Sequence, residues 1–131
     1  MVEPRAVPPD APMQQLVGTP AVQPAPELGL DPDVDVVLPR SHGLSADSGS
    51  GLSAMLRNEG TTTVVVVGVT LNLAIPNTVF DLVNAGFQVV VPTDGSVATA
   101  EGYGDQVLAH TLAYVSTLTD VATLTEAWLR A

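Results

Sequence analysis

After residue 33, the hydrophobic and polar positions of the chain alternate between the periods of strands and of helices. The β-branched run Thr63–Val67 has the continuous apolar character of a strand that is buried on both faces. Phe87–Val91 predicts another strand, and Pro92 ends it. Between them, apolar residues three and four positions apart from Ile75 to Val83 predict a helix. A strand, a helix and a strand in this order are typical of a parallel sheet.

Shorter patterns extend this alternation in both directions. Residues 35–39 are an apolar run that predicts a strand, and the spacing of residues 52, 55 and 56 predicts a helix. We expect a further helix over residues 105–116, a short strand over residues 121–124 and a terminal helix from Thr125. The complete order predicts a three-layer α/β domain with a mainly parallel sheet and right-handed crossovers.

Proline content divides the chain at residue 33. Eight of the eleven prolines lie in residues 1–33. Because proline fixes φ and removes an amide donor, this segment cannot form a long helix or a central strand. We therefore predict a proline-rich arm or remnant segment over residues 1–33 and an α/β domain over residues 34–131.

The charge of the chain excludes several classes of partner. Fourteen acidic residues stand against four basic ones, which gives a formal net charge of −10. Such a surface repels nucleic-acid phosphates and anionic membrane surfaces. The sequence has no apolar run near 18 residues and no secretory signal pattern at its N-terminus. We therefore expect no nucleic acid, no membrane partner and a cytoplasmic location.

Cysteine and histidine usage limits the possible chemistry. The chain has no cysteine, which excludes disulfides, thiolate metal sites and catalysis by a thiol. The two histidines, His42 and His110, lie far apart in sequence without suitably spaced ligand partners. We expect neither a metal nor another cofactor.

Four segments, in this order and at this spacing, resemble the isochorismatase-like (cysteine hydrolase) superfamily. Residues 35–40 resemble the strand that delivers a catalytic lysine, and residues 51–60 resemble the family's Leu- and Arg-containing helix. Residues 67–81 resemble the active-site elbow, and residues 86–94 resemble the strand that follows it. The resemblance runs from about Leu16 to Ala131. It implies a Rossmann-like isochorismatase fold that is truncated at its N-terminus, from a subgroup with alanine in place of cysteine.

The resemblance also implies a site at the elbow. Family members use an aspartate from the first strand, a lysine and an elbow cysteine. Here Ala74 has the position of the cysteine and Arg40 that of the lysine, while the aspartate has no counterpart. The resemblance further implies a cis peptide bond between Val69 and Thr70, with the amides of Thr70 and Ala74 forming an oxyanion hole.

The absent first strand has a structural consequence. In the family sheet that strand is central, so residues 35–39 and 63–67 must either pair directly or leave an exposed apolar edge.

Other residues near the elbow have two interpretations each. Asn72 either orients a ligand or caps the following helix, and His42 either lies at the mouth of a pocket or is a solvated loop residue. For Asp81 and Asp94 we expect structural roles, and for Trp128 a role as the anchor of the last helix.

Three functions follow as hypotheses. The first is an isochorismatase-family hydrolase homologue that is inactive as this chain. The second is a cysteine-independent hydrolase of small carboxylated substrates, if the chain is longer in the cell. The third is a non-catalytic binding or oligomerisation module. The partners expected are a small carboxylate or amide, and either a second copy of the chain or a full-length homologue.

Overall fold

A computed structural model describes residues 20–40 and 42–130. The chain divides into two compact units, Met1–Val37 and Leu38–Ala131. In its described part, the first unit contains two short 3-10 helices, Pro20–Val22 and Pro26–Leu28. The second unit contains the longer helices and the strands. Nowhere in the described ranges is a helix long and apolar enough to cross a membrane.

Helices and strands alternate through the described part of the second unit. The strands are β1 (Thr63–Val65), β2 (Gly68–Val69), β3 (Gln88–Pro92), β4 (Ser96–Val97) and β5 (Thr117–Thr119). The helices are α1 (Leu52–Asn58), α2 (Ala74–Asn84), α3 (Tyr103–His110) and α4 (Val121–Leu129).

The strands pair in parallel in two small sheets. β3 lies between β1 and β5, with Val64 beside Val89 and Val91 beside Leu118. β2 and β4 form a second sheet, with Val69 beside Val97. Parallel neighbours need a crossover connection, which α2 supplies between β1 and β3. This arrangement confirms the predicted α/β fold with parallel pairing.

The core lies between the inner face of α2, strand β3 and the segment that contains α3. Val79 and Leu82 of α2 and Val91 of β3 are completely buried. Spacing of Ile75, Val79 and Leu82 by four and three residues places them on one helical face, as the sequence predicts. Leu112, beyond the end of α3, is completely buried in the same cluster.

The predicted strand over residues 35–39 is wrong. These residues have no regular structure, and Val36 and Val37 are exposed. A turn precedes them, in which the Asp31 carbonyl accepts the amides of Val34 and Asp35 at 3.0 and 2.7 Å. Of the two alternatives for residues 63–67, direct pairing with residues 35–39 is therefore wrong. Among the strands in the described ranges, β1 pairs with β3 and lies at the edge of its sheet.

Predictions for the C-terminal elements also need correction. Residues 121–124 begin helix α4, and the last strand, β5, lies just before them. The helix expected over residues 105–116 ends at His110, because Thr111 leaves helical geometry at φ −130° and ψ −65°. Trp128 is 63% exposed and therefore does not anchor α4 in the core.

One buried hydroxyl holds the loop of residues 42–50 against the first turn of α2. Thr78 Oγ1 accepts the amide of Ala46 at 2.9 Å and donates to the carbonyl of Ala74 at 2.8 Å. The carboxylate of the next residue, Asp47, accepts the amide and the hydroxyl of Ser53 at 2.7 and 2.8 Å. Side-chain hydrogen bonds therefore connect the loop to both α1 and α2.

We predict that Thr78→Val lowers the free energy of unfolding by about 1 kcal/mol, because it removes a hydrogen-bonded hydroxyl at nearly constant volume. The variant should also increase the hydrogen-exchange rate of the Ala46 amide. Urea unfolding and NMR exchange measure the two effects. Thr78→Ser keeps the hydroxyl and is the matched control. Equal exchange at Ala46 in both variants would show that Thr78 does not hold the loop.

Two aspartates organise the start of α4. The Asp120 carboxylate accepts the Thr123 amide and hydroxyl, each at 2.8 Å, and Asp94 Oδ1 accepts the Val121 amide at 2.9 Å. The hydrogen bonds from the Thr123 backbone and side chain hold the pKa of Asp120 below its usual value of 3.8. Asp94 has the structural role that the sequence predicts for it.

The lowered pKa makes the start of α4 sensitive to acid. The unfolded carboxyl keeps its usual pKa, so the stabilisation is complete above pH 3.8 and is lost as the pH falls through the lower folded value. We therefore predict that the Thr123 amide loses hydrogen-exchange protection over this acidic range. Asp120→Asn, which caps without titrating, should retain it. Equal acid sensitivity in both proteins would contradict this role of Asp120.

Candidate functional site

A tight elbow connects β2 to α2. The peptide bond between Val69 and Thr70 is cis, as the resemblance implied. The carbonyl of Thr70 accepts the amides of Leu73 and Ile75 at 3.3 and 3.1 Å, which turns the chain directly into the helix. The Leu71 amide donates to the Val97 carbonyl at 2.9 Å, so β4 supports the elbow from the side.

Glycines allow the backbone around the elbow to approach its neighbours closely. Gly68, at φ 125°, donates its amide to the Gly95 carbonyl and to Ser96 Oγ, both at 3.0 Å. A Cβ on Gly95 would lie 2.9 Å from Cγ1 of Val67, and one on Gly104 would lie 3.0 Å from the Ala98 Cβ. Larger residues at these two positions would push the flanking segments away from the elbow.

Two backbone amides of the elbow are available as donors. Neither the Thr70 amide nor the Ala74 amide donates a hydrogen bond to an acceptor within residues 38–40 and 42–130. Ala74 is the first residue of α2, where the helix dipole favours negative charge. No charged residue lies between Gly60 and Asp81 in the sequence. The elbow therefore offers two hydrogen-bond donors to an oxygen ligand, and the segment between Gly60 and Asp81 contains no charged side chain.

Two shallow cavities flank the paired strands β2 and β4. One, of about 240 Å³, lies between Leu71, β4 and the start of α3, and Glu101 and Asp105 are among its lining residues. The other, of about 330 Å³, is lined by Gly68, Val69 and residues 94–97. Thr70 and Ala74 line neither of these cavities, so the elbow amides lie outside both.

Arg40 and His42 lie in the segment that the Ala46–Thr78 hydrogen bond joins to α2. The exposed Arg40 guanidinium donates to the Leu44 carbonyl at 2.8 Å and so stabilises its own loop. The His42 side chain is exposed and packs beside Gly49, where a Cβ would lie 2.9 Å from its Cε1. The structure thus places this loop beside the first turn of α2, and the Arg40 guanidinium is hydrogen-bonded to the Leu44 carbonyl.

The capping interpretation of Asn72 is wrong. The N-cap residue of α2 is Leu73, and no side chain caps this helix end. Asn72 Oδ1 instead accepts the amide of Thr99 at 2.8 Å, which ties the elbow to the segment after β4. Asn77 lies one turn further on, and its Nδ2 donates to the Leu73 carbonyl at 2.8 Å.

Sequence reasoning missed Thr78, the residue that joins the loop to the elbow helix. A threonine four residues after Ala74 can reach the carbonyl of residue 74 from within a helix, which is a local signal. Its bond to Ala46 crosses 32 positions and has no sequence signature. Within the described ranges, no three residues among histidine, aspartate and glutamate lie close enough together to hold a metal ion.

Comparison with known proteins gives a consistent result. A model of the isochorismatase domain matches residues 7–123. An isochorismatase-like hydrolase from Alkaliphilus metalliredigens is 25% identical, with a TM-score of 0.80 over 91% of this chain and 65% of its own. An isochorismatase family protein from Burkholderia thailandensis is 26% identical, with a TM-score of 0.70 over 75% of this chain and 50% of its own.

A pyrazinamidase/nicotinamidase from Streptococcus mutans is 26% identical, with a TM-score of 0.56 over 60% of this chain and 44% of its own. Among curated proteins, no match to the sequence was found. This chain thus spans two thirds or less of the length of each of these solved relatives. Because the family model covers most of the chain, the protein belongs to the isochorismatase domain family, as a member without any cysteine.

Proposed function

We propose that this chain binds a small carboxylate or amide at the elbow without hydrolysing it. One observation carries the proposal: the elbow helix begins at Ala74, whose amide has no acceptor in the larger unit and whose side chain has no nucleophilic atom. The family resemblance supports it by aligning Ala74 with the cysteine and the Thr70 and Ala74 amides with the oxyanion hole. In this proposal the chain corresponds to the C-terminal two-thirds of the family domain, from a subgroup with alanine at this position.

The chemistry of the neighbouring side chains supports binding over turnover. A methyl group cannot attack a carbonyl, and the chain has no thiol to replace it. The resemblance aligns Arg40 with the family lysine, and a guanidinium is a poor general acid or base. Two amide donors then stabilise a bound oxygen but cannot lower the barrier of a step that has no nucleophile.

Electrostatics distinguishes the two classes of ligand. The chain carries a net charge of −10, which disfavours an anion at long range, but the segment between Gly60 and Asp81 is uncharged. Added salt screens repulsion between charges separated by more than about 10 Å. A carboxylate should therefore bind more tightly as ionic strength rises, whereas a neutral amide should not.

A second function is cysteine-independent hydrolysis of small carboxylated substrates. The length of the relatives supports this second function, because this chain spans only 65% and 50% of the two isochorismatase-like structures compared above. Such an activity would need a general acid that the elbow segment does not contain. It differs from the first proposal in one observable, the release of product.

We predict that titration with benzoate or nicotinamide shifts the NMR signals of the Thr70 and Ala74 amides more than those of other residues. Ala74→Asp should weaken benzoate binding by at least about tenfold, which is about 1.4 kcal/mol, because it adds a like charge at the donor. Ala74→Asn adds a side chain of similar size without charge and should weaken benzoate binding less than Ala74→Asp does.

Turnover is measured on the same samples with nicotinamide and with a carboxylated vinyl ether. We expect no product from either compound. Product formation by the unmodified chain that Ala74→Asp abolishes would overturn the non-hydrolytic proposal and support the second function. Signal shifts confined to the cavity beside α3, or equal benzoate affinity in both variants, would remove the elbow as the binding site.

A further inference from the structure

The hydrogen bonds between β2 and β4 change register where the elbow begins. Within the paired strands, the Gly68 amide donates to the Gly95 carbonyl at 3.0 Å. A parallel ladder repeats every two residues along each strand. Its next step would pair the Thr70 amide with the Val97 carbonyl, and the Thr70 carbonyl with the Thr99 amide. The structure describes all of these residues and has neither of these two hydrogen bonds.

Two neighbouring groups take the places of the Thr70 peptide groups in this ladder. The Val97 carbonyl accepts the Leu71 amide at 2.9 Å, and the Thr99 amide donates to Asn72 Oδ1 at 2.8 Å. Because a backbone N–H can only donate, the accepting atom of the Asn72 side chain is its oxygen. The half-buried side chain of Asn72 therefore acts in this ladder as a backbone carbonyl does in a regular one.

This replacement leaves both peptide groups of Thr70 to the elbow. Its carbonyl accepts the amides of Leu73 and Ile75, which turn the chain into α2. Its amide and that of Ala74 donate to no acceptor in the described part of the larger unit. Asn72 lies two residues from each of these donors, so its side-chain hydrogen bond holds the segment that connects them.

We propose that Asn72 is a positioning residue, whose side chain keeps the Thr70 amide out of the sheet and available, with the Ala74 amide, to a ligand oxygen. The inference rests on the proposed function, because it concerns the same two donors. Donors that are held in place before binding need no ordering when the ligand arrives. Without the Asn72 oxygen, the Thr99 amide can pair within the ladder only with the Thr70 carbonyl, and a ligand must then displace Thr70 from the sheet.

Replacement of Asn72 by alanine removes the accepting oxygen. We expect Asn72→Ala to raise the dissociation constants of nicotinamide and of benzoate about fivefold each, which is the effect of about one net hydrogen bond. In the ligand-free variant, the Thr70 amide should exchange its hydrogen more slowly than in the unmodified chain, because the Val97 carbonyl now accepts it. A purely structural role for Asn72 would instead loosen the elbow and leave this exchange equally fast or faster.

Asn72→Asp is the matched rescue, because a carboxylate oxygen still accepts the Thr99 amide. This variant should bind nicotinamide as tightly as the unmodified chain does, and its Thr70 amide should exchange at the unmodified rate. It should bind benzoate more weakly, because the added negative charge repels a carboxylate at the elbow. Asp120→Ala removes a side-chain acceptor of a backbone amide at the start of α4, and it should leave the affinity for both compounds unchanged.

NMR titration of the full chain measures the dissociation constants, and circular dichroism checks that each variant folds. Asn72→Leu, which has a similar shape and no acceptor, replaces the alanine variant if that variant does not fold. Equal nicotinamide affinity in the unmodified chain and in the variant without an acceptor would overturn the inference and leave the proposed function intact. So would an aspartate variant that loses as much nicotinamide affinity as the alanine variant does.

Hydrogen exchange separates this inference from the proposed function. If the unmodified chain binds neither compound, the proposed function is wrong, and the change in Thr70 exchange between the unmodified chain and Asn72→Ala decides the role of Asn72. The unmodified, ligand-free chain gives a check that needs no variant. Its Thr99 amide should be protected and its Thr70 amide unprotected, and a protected Thr70 amide would overturn the inference.

Discussion

The parallel pairing of β1 with β3 is the constraint on which the rest of the structure depends. Parallel neighbours require a crossover, and α2 meets this requirement by packing the completely buried Val79 and Leu82 into the core that contains β3. The turn from β2 into α2 must then lie beyond the end of β1, where the Val66 amide donates to the Val90 carbonyl at 2.9 Å. The elbow and its donors are therefore placed by the sheet, as in other open α/β sheets.

Local periodicity made the centre of the fold predictable. Ile75, Val79 and Leu82 lie on one face of a helix whatever surrounds them, and Val89, Val90 and Val91 form a β-branched run. Residues 36–38 are also apolar but form no strand, because a strand also needs a partner and a turn at Asp31 precedes them. The periodicity of apolar residues alone does not show whether a partner strand is present.

The site was predictable only where the family resemblance reached it. That resemblance placed the cis bond before Thr70 and the first residue of the elbow helix at Ala74, and the structure has both features there. It did not predict that Asn72 bonds the Thr99 amide or that Thr78 joins the loop of Arg40 and His42 to α2. These contacts depend on side chains meeting across 27 and 32 positions of sequence.

In the function proposed above, the elbow holds an oxygen ligand through backbone donors and forms no covalent bond to it. A crystal structure of the chain with benzoate tests this most directly. We expect an intact benzoate with one oxygen at hydrogen-bond distance, about 2.7–3.2 Å, from the amide nitrogens of Thr70 and Ala74. Benzoate bound beside Glu101 and Asp105, or at Arg40 alone, with both elbow amides unoccupied, would contradict it.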